Sequence, residues 1–274
     1  MGCFGTKRPV PAGERSGGTV AMERLTSRKN PLIAHLRRLG ADRAYRHERG
    51  EFLCDGAKLL TEALRWGAEI TAVLWSGEPT DIPGCAQQYR ADQALLDYVS
   101  PLKSAASVVF SVRMRTWDAA APGKTLVLET IQDPGNLGTI LRTANALGID
   151  TVLLTGDCAD VYNPKTVRAG MGAVFRQRCL TMERPAMKAY LDAHGLRLYG
   201  AALSERSTDL RTVDLRHAAV AIGSEGQGLS DALLSLCDGE LIIPMNAQCE
   251  SLNAAVAAAI IMWELGKAEG GGAT

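Results

Sequence analysis

The sequence predicts an α/β protein in two units, a small one followed by a larger one built on a mostly parallel sheet. Three observations carry this. Apolar runs of strand length (TLVLE, TVLLT, AVAIG, ELIIP) lack polar alternation, as strands covered on both faces do. They alternate with segments of helical periodicity. A Pro/Gly/Ala-rich stretch, DAAAPGK (118–124), separates two such series. The expected divisions are a flexible tail at 1–22, an amino-terminal unit at 23–115, a linker at 116–124 and a carboxyl-terminal unit at 125–267.

In the first unit, SRKNPLIAHLRRLG (27–40) reads as a helix. Asn30 before Pro31 is a cap followed by a first-turn proline, and Leu32, Ile33, Leu36 and Leu39 form an apolar stripe. EFLCDG is a short strand. AKLLTEALRWG (57–67) is an amphipathic helix ended by Gly67. ITAVLW (70–75) is a strand, DQALLDYVS a helix and SVVFSV a strand. In the second unit TLVLE opens the sheet. A helix follows with Leu137, Ile140, Leu141 and Ala144 on one face, then TVLLT (151–155). Helices are expected at 163–175 and from Met187, strands at 196–203 and 219–223, a helix at 229–237, a strand at 240–244 and a last helix at 251–265.

Bulk properties exclude several classes. At 274 residues, 46% hydrophobic and 22% charged, the composition is that of a globular protein. No apolar run reaches the roughly 18–20 residues of a membrane span. The first residues lack a secretory hydrophobic region, so a cytoplasmic protein is expected. MGCFGT fits the myristoylation pattern, but nothing downstream suggests a membrane. Seven scattered cysteines without a CxxC pair argue against a disulfide framework and a zinc site. Net charge is zero, yet residues 1–50 hold eleven Lys and Arg against four Asp and Glu. A basic end on a neutral chain suggests a polyanion partner; the competing reading is a solvated helix face and tail.

Nucleotide motifs fail on geometry. GSEGQG (223–228) has the spacing G-x-x-G-x-G, which is wrong for a pyrophosphate turn. GKT (123–125) precedes a strand where a phosphate loop follows one, and the required earlier glycine falls on Asp118. There is no G-x-S-x-G or HExxH, and the histidines at 35, 47, 194 and 217 are isolated. What remains are three polar loops at carboxyl ends of strands, where open α/β sheets bind ligands: IQDPGNLGTILRTANALG, IGSEGQGLS and IPMNAQCESLNAAVAAAI.

These three loops, in this order, resemble the motifs of the SpoU/TrmH family of RNA ribose 2′-O-methyltransferases. The first motif, N-x-G-x-x-x-R-T-A, is matched by Asn136, Gly138, Arg142, Thr143 and Ala144. The second, G-[NS]-E-G-x-G-L, is matched from Gly223 to Leu229, and the third, I-P-M-x4-E-S-L-N, from Ile243 to Asn253. NPKTVRAGMG (163–172) also resembles a family segment, although the family often has Ser where this chain has Gly170. The first unit resembles, more weakly, the family's RNA substrate-binding domain.

The resemblance implies a carboxyl-terminal sheet with a deep trefoil knot, a homodimer and S-adenosylmethionine (SAM) as cofactor. The donor is already activated, so no metal is called for. It implies catalytic roles for Arg142, Asn136, Glu225, Ser251 and Asn253. Cofactor contacts fall to Gly223, Glu225, Gly228, Ile243, Met245, Ser251 and Leu252. A guanidinium, with pKa above about 12, is a poor base; Arg142 is read as a phosphate anchor that polarises the hydroxyl. Asn136 is expected to pin the first loop or orient Arg142, with a plain helix cap as the competing reading. Glu225 is expected to order the knot or pair with Arg142, with a solvated side chain as the competing reading. Ser251 and Asn253 compete with simple capping of the last helix. Structured ribosomal RNA of the 23S type is the expected substrate, with transfer RNA as the alternative. A non-catalytic RNA-binding assembly factor would have no need of Arg142, Glu225, Ser251 and Asn253 together.

Overall fold

The computed structural model describes residues 22–85, 87–102, 104–118, 122–224, 226–246, 248 and 251–267. The expected tail up to residue 21, with its myristoylation pattern, lies outside them, as does Glu225.

The first unit runs β1 (Arg24–Leu25), α1 (Pro31–Ala41), α2 (Arg43–Arg49), β2 (Glu51–Asp55), α3 (Ala57–Arg65), β3 (Ile70–Trp75), β4 (Gln87–Ala91), α4 (Gln93–Val99) and β5 (Val108–Arg113). Its five strands lie in the order β1-β4-β3-β5-β2. Asn30 caps α1 as expected: its side chain accepts from the Leu32 N–H at 2.9 Å, and Pro31 fills the first turn. A second helix, α2, follows where none was expected. Asp42 ends α1 and caps α2, accepting from the Tyr45 N–H at 3.0 Å.

The second unit runs β6 (Thr125–Glu129), α5 (Pro134–Ala146), β7 (Thr151–Thr155), α6 (Pro164–Ala169), β8 (Arg178–Thr181), α7 (Arg184–Ala193), β9 (Arg197–Ala201), β10 (Thr208–Asp209), β11 (Ala218–Ile222), α8 (Asp231–Leu234), β12 (Gly239–Ile242) and α9 (Ala254–Lys267). Seven strands lie in the order β10-β12-β9-β11-β6-β7-β8, and among the described residues every pairing is parallel. The apolar strand runs follow from cover on both faces. Leu126, Leu128, Val152, Leu154, Val220 and Ile222 face α5 and α9, while Val127, Leu153, Leu198, Ala219 and Ala221 face α7 and α8.

The helix expected over 163–175 is broken. Asn163 caps α6, which stops at Ala169; Met171 (φ 48°) and Gly172 (φ 85°) turn left-handed before a short 3-10 segment at Ala173–Phe175. That break serves the joint between the units. Val167, Val174 and Phe175 enter one hydrophobic cluster with Phe52, Cys54, Leu59, Val108 and Phe110 of the first unit. The second unit therefore supplies part of the cover for the first unit's sheet. An ion pair closes the same joint: Arg46 of α2 donates to Asp160 through Nη2 at 2.7 Å and Nε at 2.9 Å. The two side chains are 2% and 5% exposed. Arg46 Nη1 also donates to the Leu39 carbonyl, and His47 Nε2 lies 3.3 Å from the second Asp160 oxygen.

The described cysteines are free, and burial pushes the Cys179 and Cys237 thiols up to about 12. They stay protonated and unreactive near neutral pH.

Asp160→Ala leaves the Arg46 guanidinium buried without its partner. It is expected to lower the free energy of unfolding by about 3–5 kcal/mol, measured as a fall in the urea midpoint. Replacing both residues by apolar ones should cost less than Asp160→Ala alone.

Candidate active site

The three polar loops leave the carboxyl ends of β6, β11 and β12 on one edge of the parallel sheet. The strands β6 and β11 are neighbours although far apart in sequence, so the chain order reverses between them. Open α/β sheets form a ligand crevice at such a point.

The first loop turns at Thr130, which has a left-handed backbone (φ 55°), and enters α5 at Asp133. Asp133, not Asn136, caps this helix: its carboxylate accepts from the Asn136 N–H at 2.7 Å. The Asn136 side chain is thus spared from capping, and its Oδ1 accepts a hydrogen bond from Asn253 Nδ2 at 3.2 Å. Asn253 in turn caps α9, its Oδ1 accepting from the N–H groups of Ala255 (2.9 Å) and Val256 (3.3 Å). One carboxamide caps the last helix through its oxygen and ties it to the first loop through its nitrogen.

Gly138 lies one turn inside α5. A Cβ built there would stand 2.5 Å from the Thr166 carbonyl oxygen and 2.6 Å from Ala169 Cβ, so α5 and α6 approach as closely as backbones allow. Arg142 is exposed on another part of α5. Six residues from Asn136, it is about 9 Å further along the axis and turned about 120° around it. No hydrogen bond joins the two, so the expected orienting of Arg142 by Asn136 is not made. Among the described residues Arg142 has no ion-pair or hydrogen-bond partner. Thr139 and Thr143, beside it, turn their hydroxyls back onto the carbonyls of Gly135 (2.8 Å) and Thr139 (2.9 Å). The guanidinium is left as the polar group of that stretch of helix, opening onto a cleft against α3.

The second loop closes on itself. Ser224 N–H donates to the Gly228 carbonyl at 3.1 Å and Gly228 N–H to the Ser224 carbonyl at 2.9 Å. A Cβ at Gly223 would fall 1.9 Å from the Gly228 oxygen, and Gly228 has φ +65°, so both positions require glycine. Ser230 ends the loop, caps α8 and donates to Glu129 twice, from its N–H and its hydroxyl, each at 2.7 Å. Glu129 is 2% exposed at the end of β6 and also accepts from Arg184 Nε at 2.6 Å. Sequence reasoning missed Glu129. The available signal was a carboxylate closing the apolar strand TLVLE, where a buried charge needs partners.

In the third loop, Ile243 and Met245 are half-buried, and Ile243 packs against the main core. Leu252 is half-buried and Ser251 exposed. Of the two residues, Asn253 is seen to cap α9. The half-buried apolar side chains and the exposed backbone of Gly226 and Gln227 suit a ligand with both an apolar ring and polar edges. Among the described residues no cluster of three or more His, Cys, Asp or Glu could hold a metal.

Residues 123–263 match the model of the SpoU rRNA methylase family. The chain is 32% identical over 247 residues to a 23S rRNA (guanosine(2553)-2′-O)-methyltransferase of Bacillus subtilis, covering 89% of this chain and 99% of that one. It is 30% identical to a 23S rRNA (uridine(2479)-2′-O)-methyltransferase of Streptomyces viridochromogenes, covering 92% and 95%. Its fold superposes with a TM-score of 0.80 on the crystal structure of an AdoMet-bound rRNA methyltransferase from Sinorhizobium meliloti, at 26% identity and covering 89% and 97%.

Gly138→Ala is expected to force α5 from α6 and cost about 1–3 kcal/mol. Gly266→Ala in α9 has only the Leu147 carbonyl near its new methyl, at 3.9 Å. It should stabilise by up to about 1 kcal/mol. Thermal unfolding of the two variants checks the contrast.

Proposed function

The chain belongs to the SpoU rRNA methylase family, and from that membership we propose that it methylates a ribose 2′-hydroxyl of structured RNA, using SAM. The substrate we favour is 23S-type ribosomal RNA. The observation that carries the reading is the meeting of the family's motifs on one sheet edge, with the third hydrogen-bonded to the first. The two named relatives act on a guanosine and a uridine, so family membership leaves the base open.

SAM, when bound, would supply a methyl group already activated by its attachment to a positively charged sulfur, with a neutral thioether as the leaving group. The residues suited to hold it are the closed backbone loop from Gly223 to Gly228 and the apolar side chains Ile243, Met245 and Leu252. Glu225 and Ser251 are assigned to the same pocket by their place in the motifs. The last segment is proposed to thread through a loop of the chain as a trefoil knot, a reading supported by the packing of α9 on both α5 and β11. Asn136 and Asn253 fix the third loop over the first. Arg142 anchors an RNA phosphate and polarises the hydroxyl. The hydroxyl proton is lost to solvent as the oxygen takes the methyl group, helped by the nearby phosphate charge, since a guanidinium has no free electron pair to accept it.

Two copies are proposed to associate through α9. Val256 and Trp263 are 49% and 56% exposed, and with half-buried Ile260 they line one stripe of this helix. An exposed Trp in an apolar stripe fits an interface between copies. No helix of the described residues is long and apolar enough to cross a membrane; action in the cytoplasm, on RNA, follows from the proposed substrate.

The test is methyl transfer from labelled SAM to unmodified total RNA, followed by nuclease digestion and nucleoside mapping. Label on a 2′-O-methyl nucleoside of ribosomal RNA is expected, with Arg142→Ala slower by roughly a hundredfold or more. Label on transfer RNA alone would move the substrate. SAM binding without any labelled RNA would favour an assembly factor. By sedimentation the wild type should be a dimer and Trp263→Glu a monomer without turnover; a monomeric, active wild type would overturn the dimer.

A further inference from the structure

Resting on that reading, we propose that the cleft between α3 and α5 is the subsite for the nucleotide adjoining the target ribose. Lys58 holds its phosphate, and the Met171 side chain packs against its base. The cleft has a volume of about 460 Å3. Lys58 and Thr61 of α3 line it with Arg142 and Asn145 of α5, and Met171 and Arg176 join them from the segment after α6.

The charges in the cleft are unequal in kind. Arg176 is already satisfied: Nη1 donates to Glu62 at 2.5 Å, Nε donates to Asn145 at 2.5 Å, and its guanidinium lies 5.0 Å from the Trp66 ring centre. Glu62 is committed to this arrangement. Burial pushes its carboxyl up, but hydrogen bonds from Arg176 and Trp66 outweigh that and hold it below the usual range, so it stays ionised. Lys58 and Arg142 are exposed, and among the described residues neither has an ion pair or hydrogen bond. Two unanswered cations on one cleft, with its carboxylate already taken, call for an anion from outside.

Met171 adds an independent observation. Its backbone is left-handed (φ 48°), a conformation that a residue with a Cβ adopts at a cost, and its large apolar side chain is 42% exposed. Glycines stand on both sides of it, yet methionine occupies the turn. A side chain held against both backbone and solvent preference points to a ligand surface, and a thioether packs well on an aromatic ring. An anion and an aromatic ring side by side are what a nucleotide offers. Because Arg142 shares the cleft, that nucleotide lies on the strand that carries the reacting ribose.

The experiment is steady-state methylation of unmodified 23S-type rRNA by wild type, Lys58→Ala, Lys58→Arg and Met171→Gly, with SAM affinity measured alongside. Lys58→Ala should raise the KM for RNA about tenfold and reduce the salt slope by about one phosphate contact. Its kcat and SAM affinity should be retained, and Lys58→Arg should restore most of the KM. Met171→Gly should keep or raise Tm, since glycine suits that backbone, while also raising the KM. An unchanged KM and salt slope for Lys58→Ala, beside an active wild type, would overturn the subsite and leave methyl transfer standing. A wild type that methylates no RNA would overturn the reaction, and the subsite with it.

Discussion

The edge of the sheet where the three polar loops lie is tied by a hydrogen bond from Asn253 at the head of the last helix to Asn136 near the head of the first helix of the larger unit. That bond closes a loop of 117 residues. The residue type follows from what the position must do. A cap needs an acceptor for the first free N–H groups of the helix, and the bridge needs a donor. An ionised aspartate can cap but has no hydrogen to give, and a serine or threonine hydroxyl offers both roles only from one atom and at shorter reach. Asparagine supplies both from a single side chain. At the other end Asp133 takes over the cap of α5, which frees the Asn136 oxygen to accept. Each loop thus borrows its order from the other, and both stand over the boundary between β6 and β11. Glu129 adds a second tie at the same boundary, joining the end of β6 to Ser230 beyond the second loop and to Arg184 on α7.

The amino-terminal unit is not a loosely tethered module. Its sheet is covered on one face partly by Val167, Val174 and Phe175 from the other unit, and the buried Arg46–Asp160 pair holds the joint in one register. A buried pair of this kind contributes more to geometric definition than to net stability, because desolvation offsets much of its attraction. Arg176 closes the joint at a second point, between Glu62 and Asn145. The cleft that Lys58 shares with Arg142 lies beside that second clamp, so its walls are fixed relative to each other.

Much of this was legible in the sequence. Strands buried on both faces announce themselves as apolar runs, and capped helices by local residues, so β6, β7, β11, α1 and α3 came out close to their observed bounds. The strands that escaped notice lack that signal. In β4 the run QQYRA is largely polar, β8 sits at a sheet edge, and β1 and β10 have two residues each. The break after α6 was written in the glycines around Met171, but the helical periodicity on either side masked it. Partners distant in the chain left no trace at all. Arg46 read as one more charge on a basic face, whereas it is buried against a carboxylate 114 residues away. Likewise the motifs brought Asn136 and Asn253 into view separately, while their contact became visible only once the helices were packed.

The most direct measurement of this account is a calorimetric titration of SAM into the wild type and Asn136→Ala. Asp133 still caps α5 and Asn253 still caps α9, so Tm should remain close to that of the wild type. The substitution removes the acceptor of the Asn253 Nδ2 bond. If the bridge orders the site, SAM affinity falls by roughly tenfold, equivalent to the loss of about 1.4 kcal/mol. Unchanged SAM affinity in a folded Asn136→Ala protein would contradict the account.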